Sequence, residues 1–128
     1  MLNQVQHDTS RPPTRSDAGL PLRIGVAVTT AALGARSARI IAGKQKPEKS
    51  ALDLAAAKLR EIAGRNAGSP VRLVTENWFD LLPTPGEVHY LLDATDGLIG
   101  LNGDFGNWSG PGKYDHLASI FGRASICH

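Results

Sequence analysis

Apolar residues recur along this chain with two periods, and the changes of period mark its elements. From Ser50 onward, Leu52, Ala55, Ala56, Leu59, Ile62 and Ala63 follow the i, i+3, i+4, i+7 spacing that lines one face of a helix. The pattern predicts an amphipathic helix from Ser50 to about Gly64 or Arg65, with Ser50 as its cap and Asp53 three residues on completing a shortened capping box. Upstream, Leu22–Val28 (LRIGVAV) reads as a buried strand. Thr29 or Thr30 then caps a second helix running to about Ala42, closed by Gly43.

The second half changes period. Val71–Thr75 (VRLVT) and Val88–Leu92 (VHYLL) alternate like strands, with one or two helical turns between Asn77 and Leu82 and a turn at Thr84-Pro85-Gly86. Asp93–Gly97 supplies turn residues, so Leu98–Leu101 is expected to return as the second arm of a hairpin. Gly97–Gly112 is glycine-rich and reads as a loop or a closely approached strand edge, and Asp115–Phe121 reads as a final short helix. Residues 1–19 are polar, hold Pro12-Pro13 and show no sustained period, so they read as a tail before one domain over 20–128. The opening MLNQVQHD resembles a peptide that recurs where intergenic repeat elements are translated in some alphaproteobacteria; the resemblance implies nothing about function and leads to the expectation of a native start downstream of Met1. The expected fold is α+β: a small, mostly antiparallel sheet with two N-terminal helices packed on it and a short C-terminal helix.

Charge separates the chain at Arg72. Residues 1–72 hold twelve Lys or Arg against five acids and no aromatic residue, whereas residues 73–128 hold two against seven and all seven aromatics. Such asymmetry points to an electrostatic partner or to complementarity between the halves. Arg36, Arg39, Lys44, Lys46, Lys49, Lys58, Arg60 and Arg65 form the basic stretch, which predicts a cationic helical face for an acidic protein surface, a nucleic acid or the acidic side of a second copy. Aromatic residues that would stack single-stranded bases are missing from it.

A single cysteine, Cys127, excludes an internal disulfide, and no run of about twenty apolar residues exists to span a membrane. The expected location is cytoplasmic. Its rival, a secretory signal built from Arg11, Arg15 and Arg23 before Ile24–Ala35, is weakened by the Ala- and Thr-rich composition of that run and its distance from Met1.

Candidate chemistry gathers around the glycine-rich segment, where Asp93, Asp96, Asn102, Asp104, Asn107, Asp115 and His116 lie close in sequence. Asp115 and His116, with Asp104, are the residues expected to carry acid–base catalysis, because a carboxylate can orient an imidazole. The acids do not fit the spacing of an EF-hand, and His89, His116, His128 and Cys127 lack the spacing of helix-borne metal ligands, so no metal ligand set and no cofactor is assigned. Two functions follow as expectations: a non-enzymatic interaction or regulatory module using the basic face, and, as the alternative, a small enzyme of hydrolase type using Asp and His residues around the loop.

Overall fold

The computed structural model describes residues 30–128. The expected tail and the strand expected at Leu22–Val28 lie outside them. Residues 30–32 are helical, and four strands then alternate with three helices: β1 (Ser37–Arg39), α1 (Lys49–Arg65), β2 (Arg72–Glu76), α2 (Pro85–Ala94), β3 (Gly100–Gly103), α3 (Lys113–Phe121) and β4 (Ala124–Cys127).

The strands form one sheet in the order β1-β2-β3-β4, every pair parallel. This overturns the expected antiparallel sheet. The physical cause lies at residues 85–94, where Val88–Leu92 is not a strand but part of α2. Val88, Leu91 and Leu92 are buried at helical spacing, Pro85 opens the helix, and Thr84 and Glu87 close a reciprocal capping box. A helix between β2 and β3 is a crossover, and a crossover makes its flanking strands parallel where a hairpin would have made them antiparallel. No hairpin forms over 98–101 for the same reason.

The expected helix from Thr29 or Thr30 to Ala42 is also corrected. Gly34, at φ 76°, turns the chain after the helical residues, and Ser37–Arg39 pairs with Arg72–Val74. Residues 77–82 form turns and a bend in place of the expected helical turns. The helices at 49–65 and 113–121 agree with the sequence pattern, although α1 starts beyond Glu48 without a side-chain cap, leaving Ser50 inside it.

In parallel sheets of sequential order, right-handed crossovers put all the helices on one face, and here α1 packs against α2 and α2 against α3. That is how consecutive units of a β/α barrel are built. The covered face holds the core: Ala38, Leu73 and Leu101 from the sheet meet Leu52, Ala55, Leu59 and Ile62 of α1, Val88, Leu91 and Leu92 of α2, and Leu117 and Ile120 of α3. Strand alternation sends the intervening residues to the opposite face. Arg72, Val74 and Glu76 therefore line up there with Arg39 of β1 and with Gly100 and Asn102 of β3, their register partners.

The packing of β3 explains its glycines. A Cβ on Gly103 would stand 2.9 Å from the Phe121 ring, so the helix-side position admits no side chain unless Phe121 moves. At the other end of the sheet's neighbours, Trp108 closes the core and donates its indole N–H to the Leu82 carbonyl at 3.0 Å. Among the described residues, no helix is long and apolar enough to cross a membrane.

Candidate metal centre

Parallel pairing brings the carboxyl ends of all four strands to one edge. Glu76 is the last residue of β2, Asp104 follows β3, and His128 follows β4. Because each occupies the alternation position of the face opposite α1, α2 and α3, their side chains meet there.

Each is held by a specific local device. Asn77 extends the β2–β3 pairing beyond the strands with its side chain: Nδ2 donates to the Asp104 carbonyl at 3.0 Å and Oδ1 accepts from the Asp104 amide at 2.7 Å. Asp104 then turns the chain, its Oδ1 accepting from the amides of Gly106 at 2.6 Å and Asn107 at 2.7 Å. Oδ2 is left facing His128. The His128 backbone is fixed by its amide donating to the Gly103 carbonyl at 2.8 Å and its carbonyl accepting from the Phe105 amide at 3.0 Å.

His128 Nδ1 stands 2.9 Å from Asp104 Oδ2 and 3.3 Å from Glu76 Oε1. One ligand atom from each of Glu76, Asp104 and His128 lies within 4.8 Å of the others. Bonds of about 2.0–2.2 Å to a single first-row cation put its ligand atoms no more than about 4.4 Å apart, so small side-chain shifts suffice to bind one.

The electrostatics favour positive charge at the same point. Glu76 and Asp104 are buried, and two neighbouring carboxylates removed from water need compensation. Arg39 supplies part of it, its Nη1 donating to Glu76 Oε2 at 2.6 Å. On the other oxygen, Glu76 Oε1 accepts from Asn102 Nδ2 at 2.9 Å, which orients the carboxylate toward the cluster. The second polar atom of that amide, Asn102 Oδ1, is buried without a hydrogen-bond partner among the described residues. A cation-bound water would give it a donor.

Of the expected catalytic residues, only Asp104 joins this group. Asp115 is exposed in the first turn of α3, and His116 packs edge-on to Trp108 with ring centroids 5.8 Å apart. No hydrogen bond or ion pair connects Asp115, His116 and Asp104 among the described residues. The expected basic face is largely internally paired: Lys49 meets Asp53, Lys58 and Arg65 both meet Glu61, Arg60 meets Asp96, and Arg39 meets Glu76. Arg36, Lys44 and Lys46 are exposed and make no ion pair among the described residues.

Glu76 and Asn77 escaped sequence reasoning as site residues; Asn102 was named only among the donors of the glycine-rich segment, and His128 was weighed with His89, His116 and Cys127 but not with the acids. A signal for them did exist. A polar residue follows each apolar run directly, in VRLVT-Glu76-Asn77, LIGL-Asn102-Gly-Asp104 and SIC-His128, and strand ends are where such residues converge in parallel sheets.

No protein-family model matches the sequence, and a search of curated proteins returned no match. Function is accordingly read from the site itself.

Proposed function

We propose that the chain carries the divalent-cation centre of a metal-dependent enzyme acting on a small, oxygen-rich substrate, with Glu76 Oε1, Asp104 Oδ2 and His128 Nδ1 as the protein ligands. The observation that supports this reading is the convergence of these three atoms at the carboxyl edge of adjacent parallel strands. Two carboxylates and one imidazole suit Mn²⁺, Fe²⁺ or Zn²⁺ better than a soft cation that seeks sulfur. Three protein ligands also leave positions open, the pattern of catalytic sites as distinct from closed structural ones.

When bound, the cation supplies Lewis acidity: it polarises a carbonyl or hydroxyl oxygen, or lowers the pKa of a bound water. The chain's own residues perform the remaining tasks. Arg39 balances the charge of Glu76, Asn102 holds the Glu76 carboxylate in place, and Asn77 fixes the strand end that presents Asp104. The reading as a non-enzymatic module with a basic helical face has less support, because five of its eight cations already meet carboxylates.

Titration of Mn²⁺ into the protein, followed by calorimetry and by the loss of the free-ion paramagnetic signal, tests the centre. Wild type should bind one ion per chain, and Glu76→Gln, Asp104→Asn and His128→Ala should each weaken binding by at least roughly tenfold. Absence of binding by wild type, or wild-type affinity in all three variants, would sink the proposal. A panel of hydroxy-carbonyl compounds and esters, screened with and without chelator, then separates carbonyl polarisation from water activation.

A further inference from the structure

Beside the candidate centre stands an arrangement of two aromatic rings and two cations that the metal chemistry does not require. Trp78 and Phe79 directly follow Glu76-Asn77 at the end of β2, and their rings stack with centroids 4.2 Å apart and planes inclined by 18°. Neighbouring side chains in regular backbone diverge, by about 100° in a helix and to opposite faces in a strand. Here Phe79 is left-handed, at φ 58°, and that folds its ring back onto Trp78. For a bulky residue this is a costly backbone state, of the kind that collects at functional sites.

Each ring carries a cation. The Arg39 guanidinium lies 5.3 Å from the Trp78 centroid while bonding Glu76, and Lys44 Nζ lies 4.5 Å from the Phe79 centroid. Arg39 therefore links the carboxylate cluster to the stack. Lys44 is brought in by the β1–α1 loop, whose Gly43 backbone runs so close to Leu81 that a Cβ there would stand 2.9 Å from its Cδ2. The Lys44 ammonium is exposed and has no carboxylate among the described residues, so its charge is free for a ligand.

We propose that Lys44 and Arg39, positioned on Phe79 and Trp78, bind an oxyanion group of the substrate, phosphate or carboxylate, while other oxygens of the same molecule reach the cation. This rests on the metal-centre reading and deepens it, since it narrows the substrate from an oxygen-rich molecule to an anionic one. An ammonium acts as a point-charge phosphate binder, and the guanidinium nitrogens not engaged by Glu76 remain as donors. The Phe79 face holds Lys44 apart from the acidic cluster, while Arg39 spans the two, bonding Glu76 and lying over Trp78.

Inorganic phosphate and acetate, titrated separately into Mn²⁺-loaded full-length protein, test the site, with Lys44→Gln and Lys44→Glu as variants because an exposed lysine contributes little to folding. Phosphate should bind wild type and weaken by roughly tenfold in Lys44→Gln, the loss expected for one charge-assisted hydrogen bond, and more in Lys44→Glu, with Mn²⁺ affinity unchanged. A stronger response to acetate than to phosphate identifies a carboxylate as the group held. Mn²⁺ binding without any oxyanion binding, or phosphate affinity indifferent to Lys44→Glu, overturns the inference and leaves the metal centre standing. Phosphate binding that depends on Lys44 in a protein that takes up no Mn²⁺ supports the oxyanion site and removes the metal-centre reading instead.

Discussion

Asn77 grips the backbone of Asp104 at both of its polar groups, donating to the carbonyl at 3.0 Å and accepting from the amide at 2.7 Å. One side chain thereby does the work of a ladder rung where β2 and β3 have ended. Asn77→Ala leaves a buried amide and a buried carbonyl without partners, at a cost of about 2–6 kcal/mol if each contributes the usual 1–3. Urea unfolding should show that loss, and Mn²⁺ affinity should fall with it, because Asp104 Oδ2 is aimed by the same grip. Asn77→Asp should recover little: a carboxylate can accept from the amide but has no donor for the carbonyl.

Arg39 is expected to matter most when no cation is bound. Arg39→Met removes the partner of a buried Glu76 oxygen, and since the Arg39 side chain is 41% exposed the loss is discounted to about 1–2 kcal/mol. Without the competing Arg39 charge the variant should bind Mn²⁺ more tightly than wild type, so one ion concentration adds more to its stability, about 2.7 kcal/mol at a hundred times its dissociation constant. Thermal denaturation should therefore place the variant well below wild type in chelator and bring it back toward wild type on addition of the ion. A deficit unaffected by Mn²⁺ would mean that Arg39 and the cation do not share a charge-balancing role.

Gly103 and Phe121 are tied by space. Gly103→Ala should destabilise by about 1–3 kcal/mol, the usual result of overpacking, because its Cβ meets the ring face at 2.9–3.2 Å. Phe121→Leu frees room, so the double variant should lose less than the sum of the single losses. Strict additivity in a double-mutant cycle would count against the contact.

Asp53 provides a pH readout away from the centre. Its carboxyl is held below the ordinary value of 3.8, first by the hydrogen bond from Lys49 Nζ and then by that from the Tyr90 hydroxyl. A depressed folded-state value stabilises the fold above the unfolded-chain value, and that contribution is lost as pH falls through the folded one. Tyr90→Phe should move the Asp53 titration, followed by NMR, back toward 3.8. An unchanged midpoint would show that Lys49 acts alone.

How much of this was readable in the sequence differs from element to element. Helix α1 was legible because six apolar residues from Leu52 to Ala63 keep one face of a 17-residue helix, with no competing pattern. Helix α2 was not, because Val88, Tyr90 and Leu92 satisfy a strand period while Val88, Leu91 and Leu92 satisfy a helical one. Thr84, Pro85 and Glu87 break the tie as a capping box, but the same residues also read as a turn. That single ambiguity reversed the direction of the sheet. Strand β3 was only partly legible: the strand expected at Leu98–Leu101 overlaps it at Gly100 and Leu101, but GLNG has little strand propensity and its end is set by what packs around its glycines. At the site, Asp104 stood out among turn residues. Glu76 looked like an ordinary polar residue ending a strand until the parallel order set it beside Asp104 and His128.

The turn at Asp104 also fixes how a cation would be held. Its Oδ1 is committed to two backbone amides and Glu76 Oε2 to Arg39, so each carboxylate has one oxygen to give and neither can chelate in bidentate fashion. With one nitrogen from His128, the protein would give a bound cation three ligand atoms and no more. Further positions would then be left to exchangeable oxygens, so the denticity of two acids, set by hydrogen bonds to their other oxygens, would control how many atoms of a substrate could bind at once.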